Sequence, residues 1–216
     1  MRLEPECPRC PAAVTGTGSS WLCAIHEAIV PLWRVTDPDY DAFAEYLVRS
    51  RPLPSWVPWP LPDGWRVTDF GCVGLEDGGN PQAAYVTCSG PSELDGVVEL
   101  TVVTEEPGVG LAARIGGVTY TDPGREAGDG APLTRIRVDS NSVPMWLVST
   151  YDGASRATSA LDRAVLAGEA LGRWLWLVLR PASAALLLAE MGPLHDVSAH
   201  GPQLVSLPFT RAPRAW

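Results

Sequence analysis

The spacing of apolar positions changes several times along the chain. Tyr40, Phe43, Ala44 and Leu47 fall at i, i+3, i+4 and i+7, which is one apolar stripe of a helix. Asp37 and Pro38 ahead of them supply a capping residue and a proline suited to the first helical turn, so the pattern predicts a helix of about three turns over 38–49. The next segment, RPLPSWVPWPLPDGW over 51–65, carries five prolines. Proline lacks the amide donor that a helix or a central strand requires, so this segment is expected to be extended, with Trp56, Trp59 and Trp65 as anchors.

From Trp65 to Thr150 the pattern shortens to runs rich in Val, Thr and aromatic residues. Strands are predicted at 65–75, 83–89, 97–105, 112–120, 134–139 and 144–150, separated by turn clusters such as Glu76 to Asn80. This rhythm suggests an antiparallel meander. Ser159 to Asp162 reads as a capping box with Asp in place of Glu, opening a late helix that runs to about Leu171 and packs on the sheet. Residues 174–180 and 184–190, around Pro181, read as a closing hairpin, and a continuous apolar helix over 161–180 competes with that reading. Residues 201–216 read as a tail.

One constellation carries specific chemistry. Cys7, Cys10, Cys23 and His26 are spaced Cys-x2-Cys-x12-Cys-x2-His. Each close pair makes a tight knuckle, and the gap between them is the length of a connecting hairpin. Three thiolates and one imidazole fill the tetrahedral shell of Zn²⁺ and leave no position for water, so the pattern predicts one structural Zn²⁺ rather than a catalytic one. A segment this small would take its folding free energy from the metal. Trp21 and Leu22 are the expected packing residues against the hairpin.

The expected fold class is therefore α+β. Residues 1–33 form a zinc ribbon, 34–64 a helix plus a Pro/Trp-rich strap, 65–200 an antiparallel β-rich domain with one late helix packed on it, and 201–216 a tail.

Composition narrows the function classes. The 216 residues are 46% hydrophobic and 19% charged, a globular balance. Net charge is −9, which repels nucleic-acid backbones, and the first 36 residues set Arg2, Arg9 and Arg34 against Glu4, Glu6 and Glu27. A nucleic-acid partner is disfavoured and a protein partner is expected. The opening MRLEPECPRC lacks the apolar stretch of a signal peptide. The most apolar segment, 174–191, is broken by Arg180 and Pro181, short of the ~20 residues a bilayer span needs. With three of five cysteines in metal spacing, a reducing, cytoplasmic setting without membrane insertion is expected.

Other chemistry-bearing residues are weaker candidates. Trp56-x2-Trp59 with its prolines could serve a partner as a polyproline-type ligand, but reads better as a strap clipping the ribbon and its helix onto the sheet. Glu105 and Glu106 are adjacent on a strand and so point to opposite faces, which spoils them as an acid–base pair. The Gly108-x-Gly110 that follows is a turn signal. Cys72 and Cys88 lie in apolar runs, where buried inert thiols are the default. Ser89 is outside any nucleophile-elbow pattern. His195 and His200 with Asp196 form a sparse candidate for a second metal.

Taken together, CPRC with WLCAIH, then WVPWPLPDGW, EEPGVGLAAR and LAGEALGRWLW, in that order, resemble a family of actinobacterial zinc-ribbon proteins of unknown function, over roughly 5–190. Some members carry the label phosphotransacetylase. The resemblance implies a high-GC Gram-positive source, which suits a chain whose 16 basic residues are all arginine. It implies no established activity. Nothing in the chain looks like the phosphate- or coenzyme A-binding residues of phosphotransacetylases, so only the four metal ligands carry over. The leading expectation is a non-enzymatic binding or adaptor protein. One alternative is an enzyme of acyl or phosphoryl transfer with its site near Cys88, Glu105 and Glu106. The other is a nucleic-acid-associated ribbon protein relying on Arg2, Arg9 and Arg34.

Overall fold

Runs of Val, Thr and aromatic residues become strands in a computed structural model, which describes residues 2–76, 79–150, 162–213 and 216. In chain order the strands are β1 (Leu3–Glu6), β2 (Val14–Thr17), β3 (Ser20–Cys23), β4 (Glu27–Ile29), β5 (Leu32–Val35), β6 (Trp56–Pro58), β7 (Arg66–Val73), β8 (Ala83–Ser92), β9 (Gly96–Glu105), β10 (Thr134–Val138), β11 (Asn141–Leu147), β12 (Ala164–Ala170), β13 (Arg173–Arg180) and β14 (Leu194–Asp196). The helices are α1 (Tyr40–Ser50) and α2 (Leu111–Gly116), with 3₁₀ turns over Ala182–Ala189, Val197–Ala199 and Gly201–Ser206. The chain is thus mixed α and β, strand-rich with few helices.

Eleven of the described strands make one sheet in the order β1-β5-β7-β8-β9-β13-β12-β11-β10-β14-β6, and β2-β3-β4 make a separate three-stranded antiparallel sheet. The large sheet joins two meanders, β7 to β9 and β10 to β13, along the β9–β13 seam. Its neighbours are antiparallel except for the single Val138–Leu194 contact of β10 with β14. β1 and β5 flank the small sheet in sequence but pair with each other, and β5 with β7, so the small sheet is tied to the large one on both sides.

Both faces of the large sheet are covered. One buries Val86, Leu100, Leu166 and Leu177 beneath α1 and the 3₁₀ segment Ala182–Ala189, with Phe43 and Tyr46 of α1 meeting Phe70 at ring separations of 5.0 and 5.3 Å. The other buries Tyr85, Val103, Val165 and Trp176 beneath α2. The helix predicted over 38–49 is α1, capped by the Asp39 carboxylate accepting from the Ala42 amide at 2.7 Å.

Three expectations fail, each for a physical reason. The late helix to Leu171 is instead β12, paired along its length with β13. Ala164 and Leu166 enter one core and Val165 and Ala167 the other. A strand buried on both faces loses its alternation and reads like an apolar helix. Gly168 lets β11 approach: a Cβ there would lie 2.4 Å from the Pro144 carbonyl oxygen. The residues of the proposed capping box before Asp162 lie outside the described residues. The strand predicted at 112–120 is the short helix α2, whose Leu111, Ala112 and Ile115 form its buried side. The strand predicted at 184–190 is a 3₁₀ segment. Part of the Pro/Trp strap forms β6 and pairs with β14. Within 201–216, Leu204 and Leu207 are buried and Phe209 lies 5.5 Å from Phe43. Among the described residues no helix is long and apolar enough to cross a membrane.

Candidate metal centre

The small sheet brings the four predicted ligands together. β3 alternates, so Trp21 and Cys23 turn inward while Leu22 faces solvent, against the expectation that Leu22 packs on the hairpin. Gly16 is required opposite Trp21, because a Cβ there would sit 2.2 Å from the Ser20 carbonyl oxygen. Each knuckle then turns its backbone toward its first sulfur. The Arg9 amide donates to Cys7 Sγ at 3.5 Å and the Ile25 amide to Cys23 Sγ at 3.4 Å.

The ligand atoms of Cys7, Cys10, Cys23 and His26 all lie within 4.8 Å of one another. His26 Nδ1 is 3.5, 3.4 and 3.7 Å from the sulfurs of Cys7, Cys10 and Cys23, and Cys10 Sγ is 3.6 Å from Cys23 Sγ. Cys7 and Cys23 are buried. Burial, together with the neighbouring thiols, pushes Cys7 up to about 11. Burial also opposes ionisation of Cys23, but the Ile25 and His26 amides and the His26 ring outweigh it and bring Cys23 to about 6. The three sulfurs compete for ionisation, and a cation at the centre would favour the thiolate form of all three. Three sulfurs and one ring nitrogen converging on one point fit Zn²⁺, the borderline-soft ion that favours this donor set in a tetrahedron.

Residues 1–214 match the family described as "Family of unknown function (DUF6758)". The chain belongs to the DUF6758 family. No curated protein and no solved structure matches it. This family spans nearly the whole of the chain, small sheet and large sheet together, and its description assigns no activity.

In this DUF6758 protein two arginines clamp the first knuckle to the loop before α2. Arg9 donates to the Val109 and Gly108 carbonyls at 3.0 and 2.9 Å. Arg114, on α2, donates to the Cys7 carbonyl and pairs with Glu6 at 2.7 Å. The Gly108-x-Gly110 turn thus presents carbonyls to an arginine. The three arginines of the first 36 residues are all engaged within the chain: Arg2 with Asp39 and Asp41, Arg9 as above, and Arg34 with Asp69 and Glu6. Sequence reading missed the Arg9 and Arg114 clamps, because nothing local ties Arg114 to a cysteine 107 residues earlier.

The other candidates do not converge. Cys88 faces the α1 side of the sheet, where burial pushes it up to about 12, as it does Cys72. Glu105 is buried on the opposite face, and Glu106 is half-exposed and paired with Arg173 at 2.7 Å. One Glu105 oxygen accepts from the Leu111 and Ala112 amides at 3.0 and 3.2 Å, anchoring the start of α2. The neighbouring Trp176 indole N–H also favours the ionised carboxylate. Burial dominates and pushes Glu105 up to about 8. Trp56 is buried in the core and Trp59 packs on His200 at 5.2 Å. The rings of His195 and His200 are 6.5 Å apart, but Asp196 turns to the Ser55 and Ser198 amides at 2.9 and 3.0 Å.

A second concave feature was not anticipated from sequence. A cavity of about 370 Å³ is lined by Thr36, Thr68, Asp69, Thr87, Glu99 and Arg211. A bulge at Thr68 shifts the β7–β8 register there. Asp69 accepts from Tyr85 at 2.9 Å and pairs with buried Arg34, while Glu99, raised chiefly by burial, pairs with Arg180 at 3.2 Å.

Proposed function

We propose that this chain is a non-enzymatic, cytoplasmic binding protein whose residues 1–33 form a zinc ribbon holding one structural Zn²⁺, and that the ribbon docks a protein partner. The observation that carries the reading is the closed donor set. Cys7, Cys10, Cys23 and His26 would occupy all four positions of a tetrahedral ion, which leaves none for substrate or water. Leu22 and Ile25 are 54% and 66% exposed on the metal element, where an apolar pair suits a partner better than solvent. The local arginines are occupied by carboxylates and carbonyls, which supports a protein partner over a nucleic acid.

The test is a native pull-down with mass spectrometry, comparing wild type with Cys10→Ser/Cys23→Ser and with Leu22→Asp/Ile25→Asp. The reading expects a partner held by wild type and lost with both variants. A partner retained by both would move the interface to the large sheet.

A second reading keeps the enzyme alternative but moves it. Cys88, Glu105 and Glu106 do not share a site, whereas the cavity floored by Thr68, Asp69, Thr87 and Glu99 gathers polar groups in one concave place. Saturable binding of a small molecule that is lost in Glu99→Gln would support it.

A further inference from the structure

We propose that the cleft between Arg34 and Arg114 is a binding site for an indole ring carried on a peptide segment, that its occupant is this chain's own Trp216, and that its occupancy steadies the metal centre. The inference rests on the metal-site reading above for its last part only.

Both guanidinium groups lie against the Trp216 ring. The Arg34 carbon is 3.7 Å from the ring centroid and the Arg114 carbon 4.8 Å. Tyr85 meets the ring edge-on at 5.3 Å and 72°. Arg34 Nη1 also donates to the Trp216 carbonyl oxygen at 3.3 Å, so the site grips backbone as well as ring.

The charge pattern of the cleft selects the ligand class. The hydrogen-bonding edges of both arginines are engaged: Arg34 by Asp69 and Glu6, Arg114 by Glu6 and the Cys7 carbonyl. An anionic ligand would compete with those carboxylates. A neutral ring uses the guanidinium faces, which remain open to stacking, and indole is the strongest of the aromatic partners. The Arg34 side chain is only 1% exposed, so its attraction to the ring is little screened by water.

The same residues lead to the metal. Arg114 holds the carbonyl of Cys7, the first ligand, and Glu6 links Arg114 to Arg34. A ring that fixes the Arg114 plane therefore fixes the first knuckle. Two binding events that share one arginine are coupled, and the coupling acts equally in both directions.

The test uses the zinc-loaded full chain as wild type, Trp216→Ala and Trp216→Phe, and follows transfer of zinc to a chromophoric chelator. Trp216→Ala should release zinc about five- to tenfold faster than wild type, with Trp216→Phe in between. A synthetic peptide of residues 207–216 should bind the Trp216→Ala chain and slow its release. The same peptide with Trp216 replaced by Ala should do neither. Release from Trp216→Ala at the wild-type rate would overturn the coupling, and failure of the peptide to bind would overturn the site. If wild type itself holds no zinc, the metal-site reading fails while peptide binding still decides the indole site.

Discussion

The three-stranded element of β2 to β4 buries Trp21 and Cys23 but leaves Leu22, Ile25 and Ala28 in solvent, whereas β12 and β13 bury side chains on both of their faces. The two regions are accordingly held by different forces. The large sheet is cooperative through apolar contact, and two cores share its strands. The small element has one inward-facing tryptophan, set edge-on to Trp33 at 5.5 Å, and four converging ligand atoms. Burial of one or two side chains, at about 2–3 kcal/mol each, does not offset the entropy of ordering some twenty residues at about 1–2 kcal/mol each. The difference supports the reading in which a metal, more than the core, holds the element, with the arginine clamps transmitting its position to the sheet.

The largest test of this contrast is metal removal. Chelation should release β2 to β4 while β8, β9 and β13 stay protected, because structural zinc contributes on the order of 10 kcal/mol or more. Amide exchange with and without chelator reads this directly; equal protection of β2 to β4 in both would break the contrast. Next comes the core. Trp176→Ala removes a fully buried ring shared by β13 and the α2 side, and should cost about 3–5 kcal/mol in urea unfolding with metal affinity unchanged.

A smaller effect comes from Glu105. Its pKa in the folded chain, about 8, stands above its ordinary value of 4.5, so the folded state binds the proton more tightly than the unfolded one. The stabilisation is complete below about pH 4.5 and is lost as pH rises to about 8, a change on the order of a few kcal/mol. Glu105→Gln keeps an acceptor for the α2 amides without the charge. Its melting temperature should vary less over that window than that of wild type and lie above wild type at pH 8.5; a parallel slope in the variant would assign the pH dependence elsewhere. The smallest effect concerns the β12–β13 turn, where Leu171 and Gly172 have φ of +55° and +76°. Leu171→Asn suits that left-handed backbone and should raise stability by about 1 kcal/mol in thermal melts, with no effect on metal retention.

The grouping of Cys7, Cys10, Cys23 and His26, helix α1 and strands β7 to β11 were legible because each carries a local signal: a spacing, a stripe or an alternation. β12 was not, because two-sided burial erases the alternation that marks a strand. α2 was not, because six residues give too short a window for a helical period and its anchor, Glu105, lies in the preceding strand. The cavity around Asp69 and Glu99 and the Trp216 cleft were invisible for a third reason. Their residues come from distant strands and meet only through sheet order, as Arg34 meets Trp216 across 182 positions.

X-ray absorption at the zinc edge of the purified full chain reads the metal shell itself. One zinc per chain is expected, with three sulfur neighbours at about 2.3 Å and one nitrogen at about 2.0 Å. A shell containing a water oxygen, or protein that retains no zinc after purification without chelator, would contradict a closed structural site.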